Sequence, residues 1–135
     1  MMSSQVVIDV SALLAVLLNE PERPLIESAT ENCILIGPGC VPWEIGNALY
    51  TAVKRNRMGV NAAVEVLSAF ETVPLRVVDV SLAGALRIAA RHKIPSYDAY
   101  YLECARTLRV PLLTLDARMR SVAQNLNLDT VEVAT

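Results

Sequence analysis

Four acidic residues of the sequence stand where they could hold a divalent metal ion: Asp9, Glu44, Asp98 and Asp116. Asp9 interrupts an otherwise apolar run, V-V-I-D-V, with no Lys or Arg beside it. A buried carboxylate costs free energy unless it is paired or metal-bound. Carboxylate oxygens without His or Cys favour Mg²⁺ or Mn²⁺ over zinc or copper. Because such an ion activates water and neutralises charge on phosphoryl oxygens, the predicted chemistry is metal-assisted hydrolysis of a phosphodiester.

Three of these acids also have a simpler interpretation. Glu44, Asp98 and Asp116 lie in the first turns of predicted helices, where a negative charge complements the helix dipole. A capping or dipole role therefore stays open for each of them taken singly. Asp9, inside an apolar strand, has no comparable explanation.

The elements that must position the acids follow from the apolar pattern, in which short apolar runs alternate with longer helical stretches, as in α/β domains. Strands are predicted at 6–10, 33–36, 75–79, 110–115 and, at an edge, 130–133. Helices are predicted at 11–18, 22–30, 43–57, 61–70, 81–91, 96–108 and 116–126. Asn61, Ser81 and Ser96 are the predicted N-caps of the helices that they open. Ligand sites of parallel sheets form at the carboxyl ends of strands. This rule brings Asp9, Glu44 and Asp116 to one edge, but it does not cover Asp98, which follows another helix.

Composition predicts one domain spanning residues 1–135. The hydrophobic fraction of 53% is high and the charged fraction of 19% is low, which favours a sheet covered on both faces or a subunit interface. Leucines of the first four helices, among them Leu13 and Leu49, are expected to contribute to an exposed apolar patch of that kind. The net charge of −2 excludes a basic field over the whole surface, so a nucleic acid would have to be held by local cations or through a metal ion.

The cysteines and the amino terminus favour a cytoplasmic protein with no membrane association. Cys33, Cys40 and Cys104 are odd in number and lack a C-x-x-C spacing, so they predict neither a disulfide framework nor a zinc knuckle. No apolar run is long enough to cross a bilayer, and no basic residue precedes the first apolar run as in a signal peptide.

Four blocks of the sequence resemble those of the PIN-domain ribonucleases, and the VapC toxin branch most closely. The blocks are I-D-V-S-A-L at 8–13, P-W-E-I-G-N-A-L at 42–49, Y-D-A-Y-Y-L at 97–102 and L-L-T-L-D at 112–116. The resemblance implies a three-layer α/β/α sandwich whose parallel five-stranded sheet has the order 3-2-1-4-5. It also implies an Mg²⁺- or Mn²⁺-dependent RNA endonuclease with the ribose 3′-oxygen as leaving group, a homodimer, and a small antitoxin protein as partner.

The resemblance also implies roles for individual residues. Asp9, Glu44, Asp98 and Asp116 match the family's acidic cluster, and Ser11, Asn47 and Thr114 match its polar supporting positions. From the residues themselves, Asn47 shares a helix face with Glu44. Ser11 and Thr114 could each bind a neighbouring carboxylate, or Ser11 could instead cap the first helix.

Basic and aromatic residues near the acids suggest how RNA could be held. Arg118 and Arg120 open the last helix, where the dipole disfavours cations, and are the candidates for RNA phosphate contacts. Trp43 is expected in the core or an interface, and at least two of Tyr97, Tyr100 and Tyr101 are expected to pack within the domain.

Three alternatives to a toxin remain. A phosphoryl-transfer fold with Asp9 as nucleophile would want a second Asp two residues later, where Ser11 stands. A PIN-like interaction module without activity is a non-enzymatic alternative, and divalent-metal-dependent RNA cleavage would exclude it. A nuclease of RNA maturation is the third, and a neighbouring antitoxin gene would exclude it.

Overall fold

The strands form a parallel sheet that matches the predicted arrangement in its order. The computed structural model describes residues 4–133. Its strands are β1 (Ser4–Ile8), β2 (Cys33–Pro38), β3 (Leu75–Val78) and β4 (Leu112–Leu113), in the order β3-β2-β1-β4. Val6, Val7 and Ile8 are all buried. Because successive strand residues point to opposite faces, β1 is covered on both sides, and the fold is a three-layer α/β/α sandwich.

Seven helices are described, and they match the predicted ones to within a few residues. They are α1 (Val10–Leu17), α2 (Arg23–Ala29), α3 (Val41–Lys54), α4 (Val60–Glu71), α5 (Leu82–His92), α6 (Ser96–Leu108) and α7 (Ala117–Asn125). Ser81 caps α5 as predicted and accepts a hydrogen bond from the Gly84 N–H at 3.0 Å. The predicted caps Asn61 and Ser96 are wrong, because Gly59 and Pro95 occupy the N-cap positions. Asn61 and Ser96 are therefore themselves helical residues, inside α4 and α6.

The predicted fifth strand is wrong. Of residues 130–133, Thr130 alone forms a parallel bridge, with Leu112. β4 is itself reduced to two residues, although 110–115 was predicted. Pro111 has no N–H to donate, and the Thr114 carbonyl and the Leu115 N–H bind the side chains of Arg120 and Ser11, so β4 offers little backbone for a further strand. The sheet therefore has four strands within residues 4–133, and the last segment lies beside β4 without extending the sheet.

Neighbouring strands β1 and β4 create the point at which the strand order reverses. Val7 pairs with Leu112 and Ile8 with Leu113. The next residue, Asp9, donates its backbone N–H to the Leu113 carbonyl at 3.2 Å. Crevices at such reversals are where parallel sheets bind ligands, so the ends of these two strands are the natural place for a site.

The surplus of apolar residues is distributed differently from the prediction. Leu13 and Leu49 are buried in the core of the chain itself and form no patch. On the same group of helices, the exposed large apolar side chains include Tyr50, Val60 and Val64, at 62%, 62% and 55%. No helix of residues 4–133 combines the length and hydrophobicity that a membrane crossing would need.

An ion pair within α6, between the buried Glu103 and the half-exposed Arg106, lies at the contact of α6 with α5. The Glu103 side chain is 1% exposed and lies against Gly84, while the Arg106 guanidinium donates to both of its carboxylate oxygens. A Cβ built on Gly84 would stand 1.9 Å from Glu103 Oε2. The glycine is therefore required for the close approach of these two helices.

We expect Gly84→Ala to lower the free energy of unfolding by about 1–3 kcal/mol, because the new methyl group must displace a carboxylate that Arg106 holds in place. Gly46→Ala is the matched control, since a Cβ there meets nothing within 4 Å and alanine favours a helix interior by about 0.5–1 kcal/mol. Urea denaturation of both variants measures the difference. Equal stability of the two would contradict the packing described here.

Candidate functional site

Asp9 is the most buried of the four acids, with 4% of its surface exposed. It is the N-cap of α1 and accepts a hydrogen bond from the Ala12 N–H at 3.1 Å. The Ser11 hydroxyl donates to one of its oxygens at 2.6 Å, and the Thr114 hydroxyl donates to the other at 2.5 Å. The carboxylate is therefore held in one orientation by α1 and by the end of β4.

Ser11 and Thr114 also connect the two chain segments that meet here. The Ser11 hydroxyl accepts from the Leu115 N–H, and the Thr114 hydroxyl accepts from the Asp116 N–H, each at 3.0 Å. Both side chains were expected to bind a neighbouring carboxylate, and both bind Asp9. Ser11 does not cap α1, because Asp9 takes that position.

Glu44 lies in the first turn of α3 and is held by two donors that the sequence did not single out. The Cys40 thiol lies 2.9 Å from Glu44 Oε2, and the Tyr101 hydroxyl donates to the same oxygen at 2.8 Å. Burial, and then Glu44, raise the pKa of Cys40 to about 12, so it remains a thiol donor. The i, i+4 spacing of Cys40 and Glu44 was a signal in the sequence for the contact between them. Nothing in the sequence pointed to the contact of Tyr101 with Glu44.

Asp98 and Asp116 complete the group, in the first turn of α6 and at the N-cap of α7. Asp116 accepts the Arg118 and Met119 N–H groups at 2.8 and 3.2 Å, which is the capping role considered for it. Asp98 lies 3.6 Å from the Arg118 guanidinium. Arg118 is 58% exposed, so this contact is a weak one.

The four acids influence one another electrostatically, and that places them in one site. Burial is the largest cause that raises the pKa of Asp9, Glu44 and Asp98. Negative neighbours raise these pKa values further: Asp116 acts on Asp9 and Asp98, and Asp98 and Asp9 act on Glu44. Charge therefore accumulates at this edge of the sheet without a fully compensating cation.

The expectation of a preassembled metal cage is not met. Within residues 4–133, no three acidic, histidine or cysteine side chains are gathered closely enough to hold an ion as they stand. Each carboxylate is instead turned to a donor of its own: Asp9 to Ser11 and Thr114, Glu44 to Cys40 and Tyr101. The donor set still fits a hard divalent ion, because it consists of carboxylate oxygens, and burial together with negative neighbours raises the pKa values of Glu44 and Asp98.

The remaining predicted residues lie close to the acids. Asn47 is exposed and lines a cavity of about 330 Å³ together with Val10, Trp43, Glu44, Ala48 and Tyr97. Arg120 donates to the Thr114 carbonyl at 3.0 Å. That bond holds Arg120 against the end of β4, whereas Arg118 reaches out beside Asp98.

We expect Tyr101→Phe to lower the rate of any reaction at this site about tenfold while changing unfolding stability little, because supporting partners of metal ligands are worth about 10–100-fold. Only the hydroxyl bound to Glu44 is lost, and the buried ring stays. Tyr100→Phe is the control, since the Tyr100 hydroxyl makes no hydrogen bond to another residue within residues 4–133. Calorimetric titration with Mn²⁺ should show weaker binding in Tyr101→Phe alone; unchanged affinity would mean that this hydroxyl does not orient Glu44.

Comparison with known families gives one match. The family model described as PIN domain matches residues 6–125. These residues include β1–β4 and α1–α7, and with them all four acids. No protein with a curated description matches the sequence significantly.

Three solved structures illustrate the similarity in fold. PAE2754 from Pyrobaculum aerophilum has a TM-score of 0.72 at 23% identity, covering 96% of this chain and 92% of its own. VapC20 of Mycobacterium tuberculosis, a sarcin-ricin loop cleaving toxin, has a TM-score of 0.64 at 17% identity, covering 86% and 93%. VapBC2 from Rickettsia felis, bound to a DNA fragment from its promoter, has a TM-score of 0.63 at 14% identity, covering 94% and 97%. At these identities, the likeness is one of fold.

Proposed function

The chain belongs to the PIN domain family, and from that premise we propose that it is a metal-dependent endoribonuclease acting as the toxin of a toxin–antitoxin pair. The observation that carries the proposal is the position of Asp9 and Asp116 just past the ends of β1 and β4, with Glu44 and Asp98 nearby. Burial, and then negative neighbours among these acids, raise the pKa values of Asp9, Glu44 and Asp98. Acids gathered without a compensating cation are suited to a divalent ion and, through it, to phosphate groups.

In the proposed reaction these four acids would hold Mg²⁺ or Mn²⁺. When bound, the ion supplies Lewis acidity toward a phosphodiester and lowers the pKa of a coordinated water. Ser11 and Thr114 orient the Asp9 carboxylate, and Cys40 and Tyr101 orient Glu44. Asn47, on the wall of the cavity beside Glu44, is placed to hydrogen-bond water or substrate.

Arg118 is the proposed contact for an RNA phosphate. Its guanidinium is largely exposed and lies beside Asp98, so it can turn from this carboxylate to a phosphate once the acidic charge is compensated. Arg120 is the lesser candidate, because one of its nitrogens is bound to the Thr114 carbonyl.

Incubation with labelled single-stranded RNA and Mg²⁺ or Mn²⁺ tests the proposed activity. We expect internal cleavage by the unmodified protein, and loss of about a hundredfold or more in Asp98→Asn, which removes one ligand charge. Glu65→Gln, an exposed change on α4, is the control and should cleave normally. Absence of cleavage, or equal cleavage by Asp98→Asn, would exclude the proposed mechanism.

The toxin role is supported by a solved structure of the same fold, VapC20, which is described as a sarcin-ricin loop cleaving toxin. Expression of the chain alone should arrest bacterial growth, and co-expression of a small protein encoded beside it should restore growth. Cleavage in vitro without growth arrest would favour the second candidate, a nuclease of RNA maturation.

We also propose a homodimer. The exposed side chains of Tyr50, Val60 and Val64 lie around a groove of about 200 Å³ between α3 and α4, whose floor is apolar. Exposed apolar patches of this kind usually mark protein contacts.

The dimer prediction is tested by sedimentation at micromolar concentration. We expect a dimer for the unmodified chain and at least tenfold weaker association for Val64→Glu, because a charge in an apolar contact must be desolvated. Leu108→Glu, at the far end of α6 and 41% exposed, should sediment as the unmodified protein does. A strictly monomeric unmodified protein would contradict the prediction.

A further inference from the structure

Aromatic side chains are few in this chain, and most of them lie near the acids. The sequence contains one Trp, four Tyr and one Phe. Trp43, Tyr97 and Tyr100 line cavities beside the site, and Tyr101 binds Glu44. Tyr50 and Phe70 are the two that lie elsewhere. Such a concentration in an aromatic-poor chain calls for a reason other than core packing.

Trp43 was expected in the core or an interface, and in the described chain it is 76% exposed. Tyr97 is 52% exposed and meets the Tyr100 ring edge to face, with ring centroids 5.7 Å apart and planes at 88°. A large aromatic side chain is usually well buried, because burial removes much apolar surface from water. Two adjacent rings left in solvent are therefore available to a ligand.

Trp43 and Tyr97 belong to two adjoining cavities. The first is the cavity of about 330 Å³ that contains Glu44 and Asn47. The second has about 500 Å³ and is lined mainly by apolar and aromatic residues. The two cavities adjoin at Trp43 and Tyr97 and together are called the groove here; Glu44 lies at one end of it, and the other end is apolar.

The chemistry of the second cavity, called here the aromatic cleft, disfavours an anion. Its lining is Pro38, Gly39, Cys40, Trp43, Val78, Asp79, Val80, Leu82, Tyr97 and Tyr100. These residues include no Lys, Arg or His, and the one formal charge, on Asp79, is negative. A phosphate group would be repelled, whereas a flat, uncharged and largely apolar group would be accepted.

We propose that the aromatic cleft binds one unpaired nucleobase of the RNA substrate, held against Trp43 and Tyr97, while the adjoining phosphodiester lies at the acids. This inference rests on the proposed nuclease function and adds to it a preference for RNA with an unpaired base next to the cut. Bases of single strands stack on protein aromatic rings, whereas bases inside a duplex are not free to do so. The groove therefore selects substrates whose base next to the cut is unpaired.

Trp43 is the one tryptophan of the sequence, so intrinsic fluorescence reports on the cleft directly. The full chain without divalent metal is titrated with a ten-nucleotide single-stranded RNA, and with a ribose-phosphate oligomer of equal length that lacks the bases. We expect quenching by the RNA and little change with the abasic oligomer. Equal responses to the two would overturn the proposal.

Variants separate stacking from general effects, with labelled RNA and fluorescence anisotropy as the measurement. Trp43→Ala should bind single-stranded RNA about 5- to 100-fold more weakly, the range for loss of one stacked base, whereas Trp43→Phe should keep most of the affinity. Leu108→Ala, remote and partly exposed, should bind as the unmodified chain does. Because Trp43 is mostly exposed, its replacement should leave the melting temperature unchanged.

Cleavage assays distinguish failure of this inference from failure of the proposed function. If the unmodified chain cleaves RNA and Trp43→Ala cleaves equally well, the base subsite is wrong and the nuclease stands. If the chain binds bases as expected but cleaves nothing, the nuclease is wrong and the subsite stands. If Trp43→Ala alters sedimentation while its RNA affinity is unchanged, the aromatic cleft is a protein contact, and the proposal is overturned.

Discussion

Asp9→Asn is expected to lower RNA cleavage by about a thousandfold while leaving the metal-free protein as stable as before, or more stable. Loss of a supporting partner of a metal ligand already costs about 10–100-fold, and this substitution removes a proposed ligand charge itself. The fold should tolerate it because asparagine is as good an N-cap as aspartate and keeps an oxygen for the Ala12 N–H and the Ser11 hydroxyl.

The sign of the stability change follows from the balance of effects on the Asp9 carboxylate. Its hydrogen bonds lower the pKa, but burial raises it by more, and Asp116 adds to the rise. A raised carboxylate pKa means that folding disfavours the charged form. A neutral side chain of the same shape is therefore expected to keep or raise the free energy of unfolding of the metal-free protein.

Thermal unfolding in chelator compares Asp9→Asn with Asp9→Ala. The alanine variant should lose about 1 kcal/mol or more, because it removes the cap as well as the charge. A similar loss in both variants would show that the charge itself is structurally required, and would count against a role as metal ligand.

Removal of divalent metal is expected to abolish cleavage completely and to restore the repulsion among the acids. Mg²⁺ or Mn²⁺ at tenfold excess over its Kd should add about 1.4 kcal/mol to the free energy of unfolding, by mass action alone. The stabilisation should be much weaker in Asp9→Asn and unchanged in Glu65→Gln. Full cleavage in excess chelator would exclude the carboxylate mechanism, whatever the melting curves show.

Binding of the ion should also change contacts within the site. Glu44 is turned toward Cys40 and Tyr101, and Asp98 lies beside Arg118, so some of these contacts must lengthen or adjust when the carboxylates converge on a cation. The measured increase in the free energy of unfolding on metal addition therefore equals the gain from metal binding minus the cost of that rearrangement.

The edge of the sheet where Asp9, Glu44 and Asp116 lie could be predicted from local patterns, whereas the strand order and the place of Asp98 came from the resemblance to the PIN-domain family. Continuous apolar runs such as V-V-I mark buried parallel strands, and the carboxyl ends of such strands meet at one edge. Ser81 could likewise be predicted as a cap, since its contact with Gly84 spans three residues.

The Tyr101 partner of Glu44 could not be predicted, because it depends on a contact between distant segments. Tyr101 and Glu44 are 57 positions apart, and no local pattern relates them. The length of β4 was predicted wrongly for a related reason: Thr114 has high strand propensity, but the Thr114 carbonyl and the Leu115 N–H bind the side chains of Arg120 and Ser11. Trp43 was expected in the core or an interface, because apolar aromatics usually indicate one of these; it does not lie in the core.

The hydrogen bonds between the segments that follow β1 and β4 can form only late in the synthesis of the described residues. Asp9 and Thr114 are 105 positions apart, and Ser11 and Leu115 are separated by 104. The Thr114 hydroxyl therefore reaches Asp9 only after residue 114 has left the ribosome, whereas the Ser11 hydroxyl is local to Asp9. A nascent chain that ends before β4 lacks Thr114, Asp116 and Arg118 altogether, so a growing polypeptide carries no assembled site beside the RNA of its own ribosome.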